Sequence, residues 1–590
     1  MTLSTLDWSI IAGFLVISLL IGVIVSRQSG KSSADFFLSG RNMPWWLLGV
    51  SMVATTFSAD TPNLVTDLVR KEGVAGNWVW WAFLITGMMT VFIYAKLWRR
   101  SGILTDLEFY ELRYSGKEAA FLRGFRSLYL GVVFNVLVMA TVCLAAIKIG
   151  GTLLGISPIQ TLLIASVVTV AYSAIGGLRG IILTDFFQFI IAMIGTIWAA
   201  IIIVNLPQVG GLEALVTHEN VVGKMDLIPD LSNTEALVTL MIIPLAVQWW
   251  AAYYPGAEPG GGGYIAQRML SAKDEKNAVG ATLLFNIAHY ALRPWPWILI
   301  ALASLVVFPN LDSIQTAFPD LDPGIIDDDL AYPAMLTYLP QGLLGIVIAS
   351  LVAAFMSTIS THLNWGSSYI VNDFYKRFVD PEVSEKKMVM IGRLSTVVLM
   401  ICAALVALQL QNAKEAFDII VLMGAGTGLL FILRWFWWRI NAYSEIAAMV
   451  ISFLVAVLFK FILPEDALEG HVELLLSVAI TTVGWIAVTL MTEPVDRKTL
   501  IDFYKLIKPH SNGWKPVINQ AIAEEQIKES DVTTGKLPTE LSGMFAGIFL
   551  VYGILFTTGL FLYGQTTNAM IGFVISAIAA FLLWRSWQKV

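Results

Sequence analysis

Charge is what this chain has least of. Asp, Glu, Lys and Arg make up 14% of its 590 residues while hydrophobic residues make up 57%, and the mean hydropathy is +0.73. A soluble domain of this length needs a far more polar surface, so that class is excluded. A nucleic-acid partner is not expected either, because 37 Lys and Arg are outnumbered by 43 Asp and Glu. Cysteine is nearly absent: Cys143 and Cys402 both lie in apolar runs and suggest neither a disulfide framework nor a metal site. No basic segment precedes the first apolar run and no small-residue cleavage site follows it, so that run is expected to be a first membrane span rather than a removed signal peptide. Catalytic patterns are missing too. The apolar segments hold neither a nucleophile–base pair nor a cluster of metal ligands. GAGTG at 424–428 follows no strand, so it serves helix packing or a flexible gate rather than phosphate binding. No enzyme is expected.

What is present is a series of uncharged windows of about 20 residues, the length that about 30 Å of hydrocarbon demands. Hydropathy predicts about fifteen helical segments, at 7–26, 44–69, 77–98, 124–150, 158–175, 180–205, 235–254, 277–307, 341–373, 387–410, 415–436, 441–463, 472–491, 541–563 and 569–587. Lys and Arg collect in alternate loops, with Arg27, Lys31 and Arg41 in the first, Arg99 to Arg123 in the next, and Arg268, Lys273 and Lys276 after Tyr264. The loops between are acidic or neutral, most clearly 308–340, which carries Asp327, Asp328 and Asp329 and no Lys or Arg. The positive-inside rule therefore places the N-terminus outside and the C-terminus inside a plasma membrane, the inner one in a Gram-negative cell. Segment 492–540 is then cytoplasmic. Its KTLIDFYKLIK sets Leu500, Phe503, Tyr504 and Ile507 at helical spacing, which fits a helix in the membrane interface or one packed on the protein.

Two spans are interrupted. ATTFSADTPN at 54–63 sets Asp60 and Pro62 into an apolar run. A charge near the bilayer centre costs about 2.5–3.5 kcal/mol on insertion scales, and a proline frees carbonyls that need new partners. The second interruption is WWAAYYPGAEPGGGGYIAQR, Trp249 to Arg268, where two prolines and Gly260 to Gly263 cannot continue a helix. The breaks fall in the second and seventh spans. That is the separation of equivalent helices in a five-helix unit repeated with inverted topology, and paired interrupted spans point to a transporter's binding site. The ninth span offers hydroxyls. Ala354, Ser357 and Thr358 share one helix face, which can complete a sodium site against the carbonyls of Ala54 and Phe57. Such hydroxyls also bond back to their own helix or join helices together.

The stretches SSADFFLSGRNMPWWLLGVSMVATTFSADT, GGLRGIILTDFFQF, GYIAQRMLSAKD, AYPAMLTYLPQGLLGIVIASLVAAFMSTIS and NDFYK resemble the sodium:solute symporter family, over roughly residues 7–440 in the same order and spacing. That family includes the sodium/glucose, proline, pantothenate and sialic acid transporters. The resemblance implies an all-α polytopic membrane protein with a leucine-transporter-like inverted repeat of two five-helix units. The chain would divide into a first helix and loop (1–43), a first repeat (44–205), a second repeat (235–436), two further helices (437–491), a cytoplasmic loop (492–540) and two C-terminal helices (541–590). It implies Na+ as coupling ion and no other cofactor, a small solute and membrane lipid as partners, and a monomer as functional unit. The family's sodium site would fall on the carbonyls of Ala54, Phe57 and Ala354 and the hydroxyls of Ser357 and Thr358. Ala354 stands where sugar members can have serine, which leaves the number of sodium ions open. Asp185, in TDFFQF, matches an acidic residue along the family's sodium exit route. Five residues into its span it would sit ~7–8 Å deep; the alternative is that it caps its helix or pairs with Arg179.

The solute is less determined. Thr61 and Pro62 stand where sugar members have a glutamine, and glycines replace their polar residues before Tyr264, so only the inner-gate role of Tyr264 is carried over. The residues left to meet a solute are Asp60, Glu258, His289 and Arg293. An arginine fork suits a carboxylate or sugar acid, and a carboxylate among aromatics suits a polyol or a cation. Glu258 and Arg293 can equally neutralise each other as a structural pair. A sugar, polyol or sugar acid is the expected solute. An amino acid or other carboxylate is the alternative, and a transporter-like sensor or an uncoupled facilitator ranks below it.

Overall fold

The computed structural model describes residues 3–588 apart from 30–31, 255, 322, 411–420, 423, 465–467 and 533–535. Among the described residues every regular element is a helix, and the only β-type contact is one isolated bridge between Met43 and Ala272. Among the described residues eleven helices are long and apolar enough to cross a membrane, and Trp45–Thr56, Pro158–Ala174 and Ala442–Val457 are shorter apolar helices. The predicted segments at 158–175 and 180–205 form one run, Pro158–Val204, divided at Gly177, whose φ of 55° suits glycine. The first part of the predicted segment 415–436 lies outside the described residues; Gly428–Leu433 is helical.

The elements that build the site are α1 (Thr5–Ser29), α2 (Trp45–Thr56), α3 (Asp60–Glu72), α4 (Val74–Ser101), α5 (Gly116–Leu154), α6 (Pro158–Val204), α7 (Thr234–Ala251), α8 (Gly263–Ser271), α9 (Glu275–Val307) and α10 (Leu343–Val379). Burial sorts them into layers. The most apolar window of α10 is 89% buried and that of α4 83%, against 28% for α1 and 22% for Thr566–Trp587. The first two are therefore central, and the others turn leucine, isoleucine and phenylalanine side chains outward, as lipid allows.

Both sequence breakers fall at helix joints. α2 ends at Thr56 and α3 begins at Asp60. Asp60 is thus in the first turn of a helix, where the macrodipole favours a carboxylate, and Pro62 stands where no amide partner is required. Between α7 and α8 the chain is unwound at 252–254 and 256–262. Its backbone bonds to the GAGTG segment instead, Tyr253 N–H to Gly424 O at 3.2 Å and Gly426 N–H to Ala251 O at 2.9 Å. The glycines there permit this approach: a Cβ on Gly424 would come within 2.4 Å of the Tyr253 carbonyl oxygen, and one on Gly428 within 2.2 Å of that of Trp250.

Arg268 departs from the loop position that charge counting assigns it. It lies in α8 and is fully buried. The helix Arg497–Ile507 packs on the protein, with Leu500, Phe503, Tyr504 and Ile507 all buried and Phe503 stacked on Trp514 at 5.5 Å between centroids. At the acidic face, Arg70 at the end of α3 pairs with Asp328 at 2.7 Å, Lys71 with Asp67 at 2.6 Å and Asp327 at 3.1 Å, and Lys148 of α5 with Asp329 at 2.7 Å. These pairs tie the outer half of the first broken helix and α5 to one loop.

Breaking a buried pair leaves its partner charged and unpaired. Lys148→Met is expected to cost about 3–5 kcal/mol, and Lys148→Met with Asp329→Leu to recover much of it. Thermal unfolding of the purified protein measures both; equal destabilisation by the single and double variants would show that the pairing is immaterial.

Candidate functional site at the two helix breaks

The ends of α2 and α3 and the unwound segment before α8 enclose a cavity of about 110 Å³. Asp60, Tyr264, His289 and Arg293 line it, together with Thr56 and His362, and aromatic rings of Trp80, Phe83, Tyr254 and Tyr290 form much of the wall. Glu258 does not line it. Toward the acidic face lies a wider vestibule of about 480 Å³ whose wall includes Glu72, Glu235, Glu469, Glu473 and His471; Leu64 borders both spaces.

The carbonyls freed by the first break are satisfied by side chains from other helices. Thr358 Oγ1 of α10 donates to Thr55 O at 2.7 Å and to Ala354 O at 3.1 Å. Arg293 of α9 donates to Thr56 O through Nη1, to His289 O at 3.1 Å through Nε, and from Nη2 to His289 Nε2 at 2.9 Å. His289 Nδ1 lies 2.9 Å from Thr56 Oγ1, and Arg293 rests on the ring of Trp297. Arg293 and Glu258 therefore do not pair. The guanidinium serves the broken helix, whereas Asp60 keeps one buried carboxylate oxygen without a hydrogen-bond partner.

Four of the five residues expected around sodium meet at one crevice, which is too tight here for a water molecule: Ala54, Phe57, Ala354 and Ser357, joined by Gln188 of α6. Thr358 sits beside it through its bond to Thr55. The Ala54 carbonyl accepts the Phe57 N–H at 3.1 Å, which leaves an oxygen lone pair. Asp185 is buried among them, not beside Arg179. It accepts from Ser357 at 2.6 Å and Ser51 at 2.5 Å, and Arg268 stands 3.9 Å away. Arg268 also donates to Thr361 Oγ1 at 2.6 Å, and Thr361 reaches Thr55 Oγ1 at 3.0 Å. A network of carboxylate, guanidinium and hydroxyls thus joins α2, α6, α8 and α10 below the crevice.

Gln188, Arg268 and Thr361 were not singled out from sequence. Gln188 had a readable signal, three residues after Asp185 and so on the same helix face. Arg268 had none, because a charge just past four glycines reads as a loop residue.

The model of the sodium:solute symporter family matches residues 36–452. The sodium/glucose cotransporter of Vibrio parahaemolyticus is 28% identical over 479 residues, 78% of this chain and 86% of that protein. The sodium/sialic acid symporter of Proteus mirabilis is 25% identical over 469 residues, 77% and 89% of the two chains. Among solved structures, a substrate-bound, outward-open Na+-coupled sialic acid symporter superposes with a TM-score of 0.66 at 21% identity, covering 84% of this chain and 99% of that one; that likeness is one of fold.

Replacing Arg293 by Gln strips Thr56 O and His289 of charge-assisted donors. A loss of about 1.5–3 kcal/mol in unfolding free energy is expected, read from thermal unfolding in detergent. An unchanged transition would mean that the Arg293 bonds do not hold the broken helix.

Proposed function

The chain belongs to the sodium:solute symporter family, and we propose that it imports a neutral sugar or polyol by sodium-driven alternating access. The observation that carries this reading is the meeting of the two broken helices at one aromatic-walled cavity, with a cluster of carbonyls and hydroxyls immediately beside it. Sodium at Ala54, Phe57, Ala354, Ser357 and Thr358 would clamp the joint between α2 and α3 against α10. The same joint supplies Thr56 and Asp60 to the cavity, so filling the ion site orders the solute site. Solute then binds well only to the loaded state, and that difference in affinity is the coupling. Sodium would leave the crevice past Asp185 and Arg268 toward the face of the Lys- and Arg-rich loops, the basic face, and Tyr264 would close the cavity on that side.

The solute class follows from which polar groups remain free. Arg293 is engaged with Thr56 and His289, which argues against a carboxylate ligand. Asp60 offers an unpartnered acceptor among rings, an arrangement that suits hydroxyl donors on an apolar-faced ring. A tenfold sodium gradient supplies ~1.4 kcal/mol and one charge crossing ~150 mV about 3.5 kcal/mol. Together they sustain a solute gradient of roughly a few thousandfold.

In proteoliposomes, uptake of the solute found by a thermal-shift screen is expected to require an inward sodium gradient; equal uptake in potassium would overturn the reading. Ser357→Ala combined with Thr358→Ala should raise the sodium concentration for half-maximal uptake by about tenfold or more, equivalent to about 1.4 kcal/mol of lost ion binding. Unchanged sodium dependence would remove the ion from this site.

A further inference from the structure

Glu258 is a buried acid that lines neither the cavity nor the ion crevice. It lies in the unwound segment before α8, is 3% exposed, and neither carboxylate oxygen has a side-chain partner. Asp106 from the turn ahead of Phe109, Tyr253 of its own segment and Tyr264 of α8 interact with it electrostatically, and Trp365 of α10 borders Gly263 beside it. Asp106 is the second carboxyl among them. Its Oδ2 accepts the Gly263 N–H at 2.9 Å, its Oδ1 accepts the Tyr369 hydroxyl, and Arg126 and Arg434 act on it electrostatically. Asp106 therefore fills the place at the start of α8 where unpaired amides and the macrodipole favour one negative charge.

A second carboxyl borders the same glycine. A Cβ placed on Gly263 would come within 2.7 Å of Glu258 Oε1, and one on Gly262 within 3.9 Å of Asp106 Oδ2. Two carboxylates this close, with the arginines acting on the first, do not both ionise in a site closed to water. A metal cation is disfavoured, because the amide end of a helix points at the same space. A proton meets both conditions, since it removes the charge of Glu258 and adds none.

We propose that Glu258 is a proton-binding site: its carboxyl holds a proton while the gate around Tyr264 is closed toward the basic face, and gives it to water when that gate opens. The step is a simple transfer from carboxylic acid to water, leaving a hydrated carboxylate. Closing reverses it and requires a proton from the same side, so no net proton crosses the membrane. Protons on the basic side then act as a ligand of the closed state and slow its reopening.

The test uses the full-length purified protein and Glu258→Gln, which is isosteric with the neutral acid. Infrared difference spectra on exchange into heavy water should show a buried carboxylic-acid carbonyl band in the wild type and lose it in Glu258→Gln. An identical band in both overturns the proposal. The variant should melt at or above the wild-type temperature; a marked fall would mean that Glu258 is ionised and partnered, and overturns it as well. In proteoliposomes with the basic face inward, acidifying the lumen at constant external pH should slow wild-type turnover severalfold, and Glu258→Gln should be slow and pH-insensitive. A wild-type pH response in the variant counts against the site. The spectra and melting curves do not depend on sodium-driven uptake, so a failure of the symport reading remains distinguishable from a failure of this one.

Discussion

The structure depends on one requirement of the hydrocarbon phase: a carbonyl released from a helix must find a donor within the protein. At the joint between α2 and α3 the donors come from two other helices. Thr358 of α10 takes Thr55 O and Arg293 of α9 takes Thr56 O. The break is therefore held from two sides, and each side is also a wall of the candidate site. Loosening the joint would move the crevice and the cavity together, which is the mechanical content of the proposed coupling.

The second break is solved differently. Its backbone pairs with another unwound segment, at Gly424 and Gly426, instead of with side chains. One joint is thus pinned by hydroxyl and guanidinium donors, and the other by main-chain bonds that depend on glycine spacing. Asp185 adds a third point of attachment, bridging Ser51 of α2 and Ser357 of α10 below the crevice. That carboxylate is oriented by two hydroxyls.

Much of this was legible from residue types. Proline, glycine runs and charge inside apolar windows marked both breaks, because those residues act locally. The face formed by Ala354, Ser357 and Thr358 was legible because helical spacing alone places it. Long-range partners were not. Arg293 read equally well as a solute ligand or as the mate of Glu258, and only the fold shows that it holds Thr56 and His289. Arg268 read as a loop charge, since nothing local reveals that a helix resumes at Gly263 with Asp106 accepting its first amide. Glu258 and Asp60 are both acids beside helix breakers, and sequence cannot tell that Asp60 lines the cavity while Glu258 borders Gly263 instead.

The vestibule on the acidic face has a kinetic consequence. Among the described residues its wall includes four glutamates and neither lysine nor arginine, and Leu64 alone borders both it and the cavity. A concave, low-dielectric mouth of one sign concentrates counterions and depletes co-ions. Small cations therefore accumulate at the threshold ahead of any uncharged solute, while anions arrive rarely. This enrichment weakens as ionic strength shortens the Debye length.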